Sequence, residues 1–423
     1  MDLQPRCSNG LRGERRVPGD KSISHRALLI GALAEGVTTI GGLSAAADVR
    51  STMGCLKALG IQIEPDGDEV AIFGKGPRGF KKSPEPLDAG NSGTTMRLLS
   101  GILSGQRFDS VIVGDASLTK RPMKRIIEPL RLMGANISGS TEFTAPLKIS
   151  STYNLRPIVY ELDIPSAQVK STILLAGLYA DGTTRVIEDV PTRDHTERMM
   201  GLKVLAHGRK RTIEIKGGQK ILPRHFLVPG DISAATFLIA AGALVPGSEL
   251  TIRNVGLNKT RSTVLDVFRQ MNVKLEVCNP RIQGGEEVGD IVVRTSDLNG
   301  DLALAGESVA RLIDEIPMLA VTALFSKGSF SLKDAGELRH KETDRIEAIV
   351  KNMRRLGVDV DERPDGFSFH PKKEIVGTTL ESFGDHRIAM AFGVLALRVP
   401  GITIRNAECV DISFPGFWAA VGA

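Results

Sequence analysis

Residues able to bind and move charge gather at a few short places in this chain. Lys21, Ser22, Ser24, His25 and Arg26 open a stretch that then continues as plain Ala and Leu, VPGDKSISHRALLIGALAEG. Cations crowd TKRPMKR (Lys120, Arg121, Lys124, Arg125), PTRDHTER (Arg193, His195, Arg198), RHKETDR (Arg339, His340, Lys341, Arg345) and GDHR (His386, Arg387). NSGTT at 91–95 and PSAQVKS at 165–171 add small polar residues whose backbone N–H groups can approach an anion at the positive end of a helix. Such a set suits a substrate with several phosphates or carboxylates, oriented by arginine forks. Two acids stand in this basic company, Asp314 in IDEIPM and Glu342 in KETDR. They read as salt-bridge partners that steady the cations, and Glu342 reads equally as a proton carrier once substrate displaces water.

The elements that carry these residues are given by a repeat. VPGDISAATFLIAAGALVPG at 228–247 copies the frame of residues 17–36, and the residues after each copy give a strand, a loop, an amphipathic helix and a further strand. Looser copies begin near 89, 164, 312 and 383, which makes about six α/β units at a period of roughly seventy residues. The second helix of most units is expected to end before "LG" or "MG", and VLAHGRKRTIEI is read the same way, because glycine suits the left-handed stop. Six units arrange most simply as two similar lobes of three, over 17–227 and over 1–16 with 228–423. The stronger copies also act as a control. Lys21, His25 and Arg26 are replaced by Ile232, Thr236 and Phe237, so the helix does not need the cations to start. Asp20 and Asp231 persist, as N-caps should. His25 stays open between a structural hydrogen bond and the site.

Composition narrows the rest. The 423 residues are 42% hydrophobic and 24% charged, the balance of a folded globular chain. Aromatics make up 4%, too few for base-stacking platforms, and no run of five basic residues marks a nucleic-acid stripe. Cys7, Cys55, Cys278 and Cys409 are far apart and read as reduced thiols, not as metal ligands. The start of the chain has no signal-peptide pattern and no stretch suits a membrane, so a cytoplasmic location is expected. GxGxxG after a first strand, GxxxxGK[ST], GxSxG and HExxH are all absent, which leaves orientation, proton transfer and electrostatics as the catalytic means.

The motifs PGDKSISHRALLIGALAEG, AGNSGTTMRLLSG, DASLTKRPM, PSAQVKSTILLAGL, TRDHTERM, IDEIPMLA, ELRHKETDRI and FGDHRIAMAF, in this order, resemble the bacterial type of the EPSP synthase (3-phosphoshikimate 1-carboxyvinyltransferase) family. The resemblance implies two inside-out α/β barrel lobes of three repeats each, joined by a two-strand hinge. It implies transfer of the enolpyruvyl group of phosphoenolpyruvate to the 5-hydroxyl of shikimate 3-phosphate, with release of phosphate, in the pathway to chorismate and the aromatic amino acids. On this resemblance shikimate 3-phosphate falls to Lys21, Ser22, Arg26, Ser166, Ala167, Gln168, Arg193, Asp314 and Lys341. Phosphoenolpyruvate falls to Lys21, Asn91, Gly93, Arg121, Gln168, Glu342, Arg345 and Arg387, and Lys21, Asp314 and Glu342 are catalytic. No cofactor, metal, nucleic acid or membrane is implied, and a monomer is expected. Gly93 implies sensitivity to glyphosate. The tail departs from the pattern, since DISFPGFW has Ile412 where many relatives have Lys. The nearest rival, UDP-N-acetylglucosamine enolpyruvyl transferase, typically uses a cysteine near TKRPM, where this chain has none. A phosphate-metabolite binding protein without catalysis would not need both acids.

Overall fold

One arrangement of strands and helices recurs along the computed structural model, which describes residues 1–372 and 374–423. In the second, third and fifth repeats a parallel strand pair is linked through a buried helix, an outer helix follows, and two further strands add antiparallel to the pair; the first and fourth keep this four-stranded order but draw one strand of the pair from a distant part of the chain. By spatial order the first sheet is His225–Leu227, Glu35–Gly41, Glu69–Lys75 and Gln62–Asp66. Leu87–Asp88, Ser110–Val113, Leu147–Ser150 and Asn136–Ser138 form the second, and Val159–Glu161, Thr183–Glu188, Lys210–Lys216 and Lys203–His207 the third. The fourth is Arg12–Arg16, Glu249–Gly256, Glu286–Arg294 and Lys274–Gln283, and the fifth Leu302–Leu304, Phe330–Leu332, Gly366–Phe369 and Val360–Arg363. The sixth is cut to Thr379–Glu381 and Thr403–Arg405, on which Leu3 sets an antiparallel bridge.

The chain divides into two compact units, Gly19–Val228 and the discontinuous Met1–Pro18 with Pro229–Ala423. The discontinuity has a local cause: the fourth sheet takes its first strand, Arg12–Arg16, from the start of the chain, whereas the first sheet takes His225–Leu227 from the end of its own unit. Each unit has its own apolar core.

Those cores are built on six inner helices: α1 Lys21–Leu33, α2 Gly93–Leu103, α3 Ala167–Gly177, α4 Ile232–Leu244, α5 Ile316–Ala323 and α6 His386–Ala396. Ala, Leu and Ile on all sides make them central, as a helix without a polar stripe must be. Every residue of α4 is buried. Glycine lets neighbours approach: a Cβ on Gly101 of α2 would lie 2.3 Å from the Thr172 carbonyl oxygen of α3. Five of the six begin at a side-chain cap. Asp20, Ser92, Ser166, Asp231 and Asp385 accept backbone N–H bonds from Ile23 (2.8 Å), Thr95 (3.1 Å), Val169 (3.4 Å), Ser233 (2.8 Å) and Arg387 (2.8 Å). Asp20 and Asp231 are thus the caps that the repeat predicts, each worth about 1 kcal/mol against alanine.

The outer helices Ala47–Ala58, Lys124–Leu132 and Arg345–Arg355 stop before Gly60, Gly134 and Gly357, all at positive φ. VLAHG corrects the expectation of a helix end. The helix His195–Met200 has already stopped at Gly201 (φ 62°), and Lys203–His207 is a strand whose Gly208 turns the hairpin into Lys210–Lys216. Only TIEI, at the end of the hairpin's second strand, alternates with period two, a short signal that the glycine pattern masked.

Candidate active site

Within Gly19–Val228, hydrogen bonds between side chains tie the first turns of α1, α2 and α3 into a closed triangle. Arg26 of α1 donates from Nη2 to Ser171 Oγ of α3 (2.8 Å), from Nε to Thr196 Oγ1 (2.7 Å) and from Nη1 to the Ser22 carbonyl (3.0 Å). Arg97 of α2 donates to Gln168 Oε1 of α3 (2.7 Å), and Gln168 Nε2 donates back to Thr94 Oγ1 (2.9 Å). The third side runs through Thr52, whose hydroxyl lies 2.7 Å from His25 Nδ1 of α1 and 2.7 Å from Thr95 Oγ1 of α2. Three positive helix ends therefore share one edge of the unit, a setting that favours anions.

The other cations of this unit hang on that frame. Lys21 Nζ is paired with Asp48 Oδ2 at 2.9 Å, and both side chains are largely shielded. Arg121 donates to Asn91 Oδ1 (2.8 Å), while Asn91 Nδ2 donates to Asp115 Oδ2 (2.7 Å). Arg193 Nη1 reaches Ser22 Oγ at 3.5 Å. Gly93 starts α2 beside two guanidinium groups: an added Cβ would lie 2.8 Å from Arg97 Nη1 and 3.4 Å from Arg121 Nη1. Ser166 and Ala167 are the cap and first residue of α3.

His25 is settled as structural. It is fully buried, and burial depresses its pKa to about 3, Lys21 and Arg26 adding to the effect and Asp48 opposing it. A ring that stays neutral and faces Thr52 is a link between helices.

Lys170 departs from its motif neighbours. Sequence reading grouped it with Ser166 and Gln168, yet its side chain is fully buried, with Nζ 3.0 Å from Glu188 Oε2 and 2.7 Å from Glu197 Oε1. Thr192 donates its N–H (3.2 Å) and hydroxyl (2.7 Å) to the same Glu188 Oε2. The triad pins the loop that carries Arg193 to the helix that carries Gln168.

In the discontinuous unit, the starts of α4, α5 and α6 are joined in the same way. Arg387 of α6 donates from Nη1 to Ser233 Oγ of α4 (2.7 Å) and to the Asp314 carbonyl ahead of α5 (2.8 Å). Ser233 donates in turn to Glu315 Oε1. Arg345 donates from Nε to Asp385 Oδ2 (2.7 Å) and from Nη2 to Glu342 Oε2 (2.6 Å), and its Nη1 lies 3.5 Å from Asp314 Oδ1. Burial opposes the charge of Arg345, but Asp385, Glu342 and Asp314 outweigh it, so its pKa is raised above the ordinary arginine value. Lys341 is shifted the other way: burial lowers its pKa, against the pull of Asp314, Glu337 and Glu342.

The structure thus gathers Lys21, Ser22, Arg26, Asn91, Gly93, Arg121, Ser166, Ala167, Gln168 and Arg193 on one helix triangle, and Asp314, Lys341, Glu342, Arg345 and Arg387 on the other. It does not gather every cation of the motifs. Lys124 pairs with Glu128 on the surface, and Arg339 with Asp344 and Glu362. Sequence reasoning missed Asp48, Arg97, Ser233 and Glu315. Arg97 had a signal, its place one turn into α2 after NSGTT; the rest become visible only through their partners. Among the described residues no group of three or more His, Cys, Asp or Glu side chains is placed to hold a metal ion, and no helix is long and apolar enough to cross a membrane.

The sequence and the fold both have known relatives. The family model for EPSP synthase (3-phosphoshikimate 1-carboxyvinyltransferase) matches residues 5–421. A 3-phosphoshikimate 1-carboxyvinyltransferase of Desulforudis audaxviator is 46% identical over 100% of this chain and 99% of its own length. One from Brevibacillus brevis is 48% identical over 98% of each chain. The solved EPSP synthase of Acinetobacter baumannii superposes with a TM-score of 0.86 at 42% identity, covering 100% of this chain and 97% of its own. The enolpyruvyl transferase NikO of Streptomyces tendae has a TM-score of 0.76 at 17% identity, covering 99% of this chain and 96% of its own, which is a likeness of fold.

Proposed function

The chain belongs to the EPSP synthase family and transfers the enolpyruvyl group of phosphoenolpyruvate to shikimate 3-phosphate, and we propose that the two helix triangles divide the work of that reaction. The observation that carries this division is that each triangle presents fixed arginines at helix N-termini, whereas the two acids given catalytic roles sit in only one of them.

Ser166, Ala167, Gln168 and Arg193, in the Gly19–Val228 unit, are assigned to the shikimate phosphate; Lys341 is also assigned to shikimate 3-phosphate. Ser22 and Arg26 serve the carboxylate side; since Arg26 already makes three internal bonds, its part includes holding α1, α3 and Thr196 in register. Asn91, Gly93, Arg121 and Gln168 are assigned to phosphoenolpyruvate, and so, within their own unit, are Arg345 and Arg387. Lys21 touches both substrates once it exchanges Asp48 for them.

The chemistry is addition followed by elimination. Glu342 or Lys21 protonates the methylene carbon of phosphoenolpyruvate, the 5-hydroxyl oxygen attacks the neighbouring carbon, and Asp314 takes the hydroxyl proton. The tetrahedral adduct then loses phosphate while a methyl proton returns to the group that delivered it, which restores the double bond. Asp314 lies 3.5 Å from Arg345 Nη1 and 3.9 Å from Arg387 Nε, so a substrate anion that engages those arginines frees its carboxylate for the proton. The cations stabilise the charge that collects on the departing phosphate.

Phosphate release from shikimate 3-phosphate and phosphoenolpyruvate tests the reading. Release only when UDP-N-acetylglucosamine replaces shikimate 3-phosphate would overturn it. Within the assay, Glu342→Gln and Asp314→Ala are expected to lower turnover far more than they weaken binding, and equal losses would reduce both acids to a structural role. We also infer a glyphosate-sensitive, cytoplasmic monomer. Gly93 supports the first, because a methyl there must displace the tied guanidinium of Arg97; Gly93→Ala is expected to raise the inhibitor level for half-inhibition, read from dose-response curves. Four free thiols support the second.

A further inference from the structure

We propose that Ser233, held by Glu315, is a positioning residue that sets the guanidinium of Arg387 for phosphoenolpyruvate; this rests on the assignment of Arg387 above. Ser233 and Glu315 are both buried, each 1% exposed. The serine hydroxyl gives its proton to Glu315 Oε1, so its lone pairs face the guanidinium, and Arg387 Nη1 donates to it at 2.7 Å. The second Nη1 proton goes to the Asp314 carbonyl at 2.8 Å. With Nη1 saturated, the plane of the fork is set. Among the described residues Nη2 makes no hydrogen bond and Nε only a 3.9 Å approach to Asp314 Oδ1, which leaves that edge for a planar anion. Glu315 is itself backed by Arg261, 3.6 Å away, and Arg261 lies equally far from Asp231, the cap of α4.

The internal repeat supplies the contrast. Ser22 holds the same place in the first copy of VPGD, two residues after the capping Asp. Its hydroxyl meets Arg193 at 3.5 Å, with no carboxylate behind it among the described residues, so it stays available to a ligand. Ser233 has been turned inward. A long arginine side chain loses rotamer freedom when it grips an anion, and a seat built beforehand removes that loss from binding.

Steady-state kinetics of the full chain test this, with shikimate 3-phosphate affinity measured separately at equilibrium. Ser233→Ala is expected to raise KM for phosphoenolpyruvate about tenfold and to leave the Kd for shikimate 3-phosphate within about twofold, while Ser233→Thr, which keeps the hydroxyl, stays near wild type. In an Arg387→Lys background Ser233→Ala is expected to add little, since the two act as one unit. A folded Ser233→Ala protein with unchanged KM, equal losses for both substrates, or additive effects with Arg387→Lys would overturn the proposal. If the alanine variant does not fold, Ser233→Cys, which keeps the volume and weakens the acceptor, takes the same test. Wild-type protein inert towards both substrates overturns the functional reading and this proposal with it.

Discussion

Three positions of the duplicated VPGD helix show how single residues turn a frame into a site. Where α1 has Lys21, His25 and Arg26, α4 has Ile232, buried; Thr236, bonded to its own helix at the Ile232 carbonyl (2.9 Å); and Phe237, edge-on to Phe417 with ring centroids 6.1 Å apart. The backbone is common, and only side-chain chemistry separates a charged helix mouth from a hydrophobic contact. Two predictions belong here. Lys21 is expected to depend on Asp48 for its position, so Asp48→Asn lowers kcat about tenfold with a small change in Tm, measured by phosphate release and thermal melting. His25 has a folded pKa of about 3 against an unfolded value near 6.5. The unfolded chain therefore binds the proton first, and the stability that His25 contributes is complete above about pH 6.5 and is lost as pH falls towards 3. Urea midpoints of His25→Gln are expected to fall less steeply between pH 6.5 and 4 than those of the wild type.

At the level of elements, helix N-termini are the recurring device, and buried ion pairs keep their loops in place. The clearest case is Lys170 with Glu188 and Glu197. Lys170→Met leaves Glu197 in the core without Lys170 and Glu188 with only Arg211 at 3.5 Å, at a cost of about 3 to 5 kcal/mol, and is expected to raise KM for shikimate 3-phosphate through the Arg193 loop. Adding Glu188→Gln and Glu197→Gln is expected to recover most of the stability but not the KM, as chemical denaturation and kinetics together would show. Lys341 carries a pH prediction. A cation with a lowered pKa loses its charge at lower pH than a solvated lysine, so shikimate 3-phosphate affinity is expected to decline early on the alkaline side. Lys341→Arg should move that decline to higher pH in titrations from pH 7 to 10.

For the molecule as a whole, the cut between units follows strand ownership. All four strands of the first sheet lie inside Gly19–Val228, and that unit has a core of its own. A protein of residues 19–228 is expected to melt cooperatively on its own. One ending at 220 loses the His225–Leu227 edge strand and is expected to melt lower or not fold, by circular dichroism.

Much of this was legible in the order of residues. A capping Asp followed by Ala and Leu declares a buried helix wherever it occurs, and the VPGD copy separates what the fold needs from what the site adds. The small polar residues of NSGTT and PSAQVKS and the cations of KETDR and GDHR stand beside helix starts, which is why their grouping could be read before any contact was known. Their partners could not be read. Asp48 faces Lys21 from 27 residues away, Thr196 faces Arg26 from 170, and Ser233 faces Arg387 from 154. Hydrogen bonding reaches only a few ångströms, so it is decided by which segments pack together and not by spacing along the chain. Residue order was enough to define the repeat, the helix mouths and the charges placed there; it took packing to turn Lys170 inward, to make His25 a neutral brace, and to have Ser233 seat an arginine where Ser22 stays open.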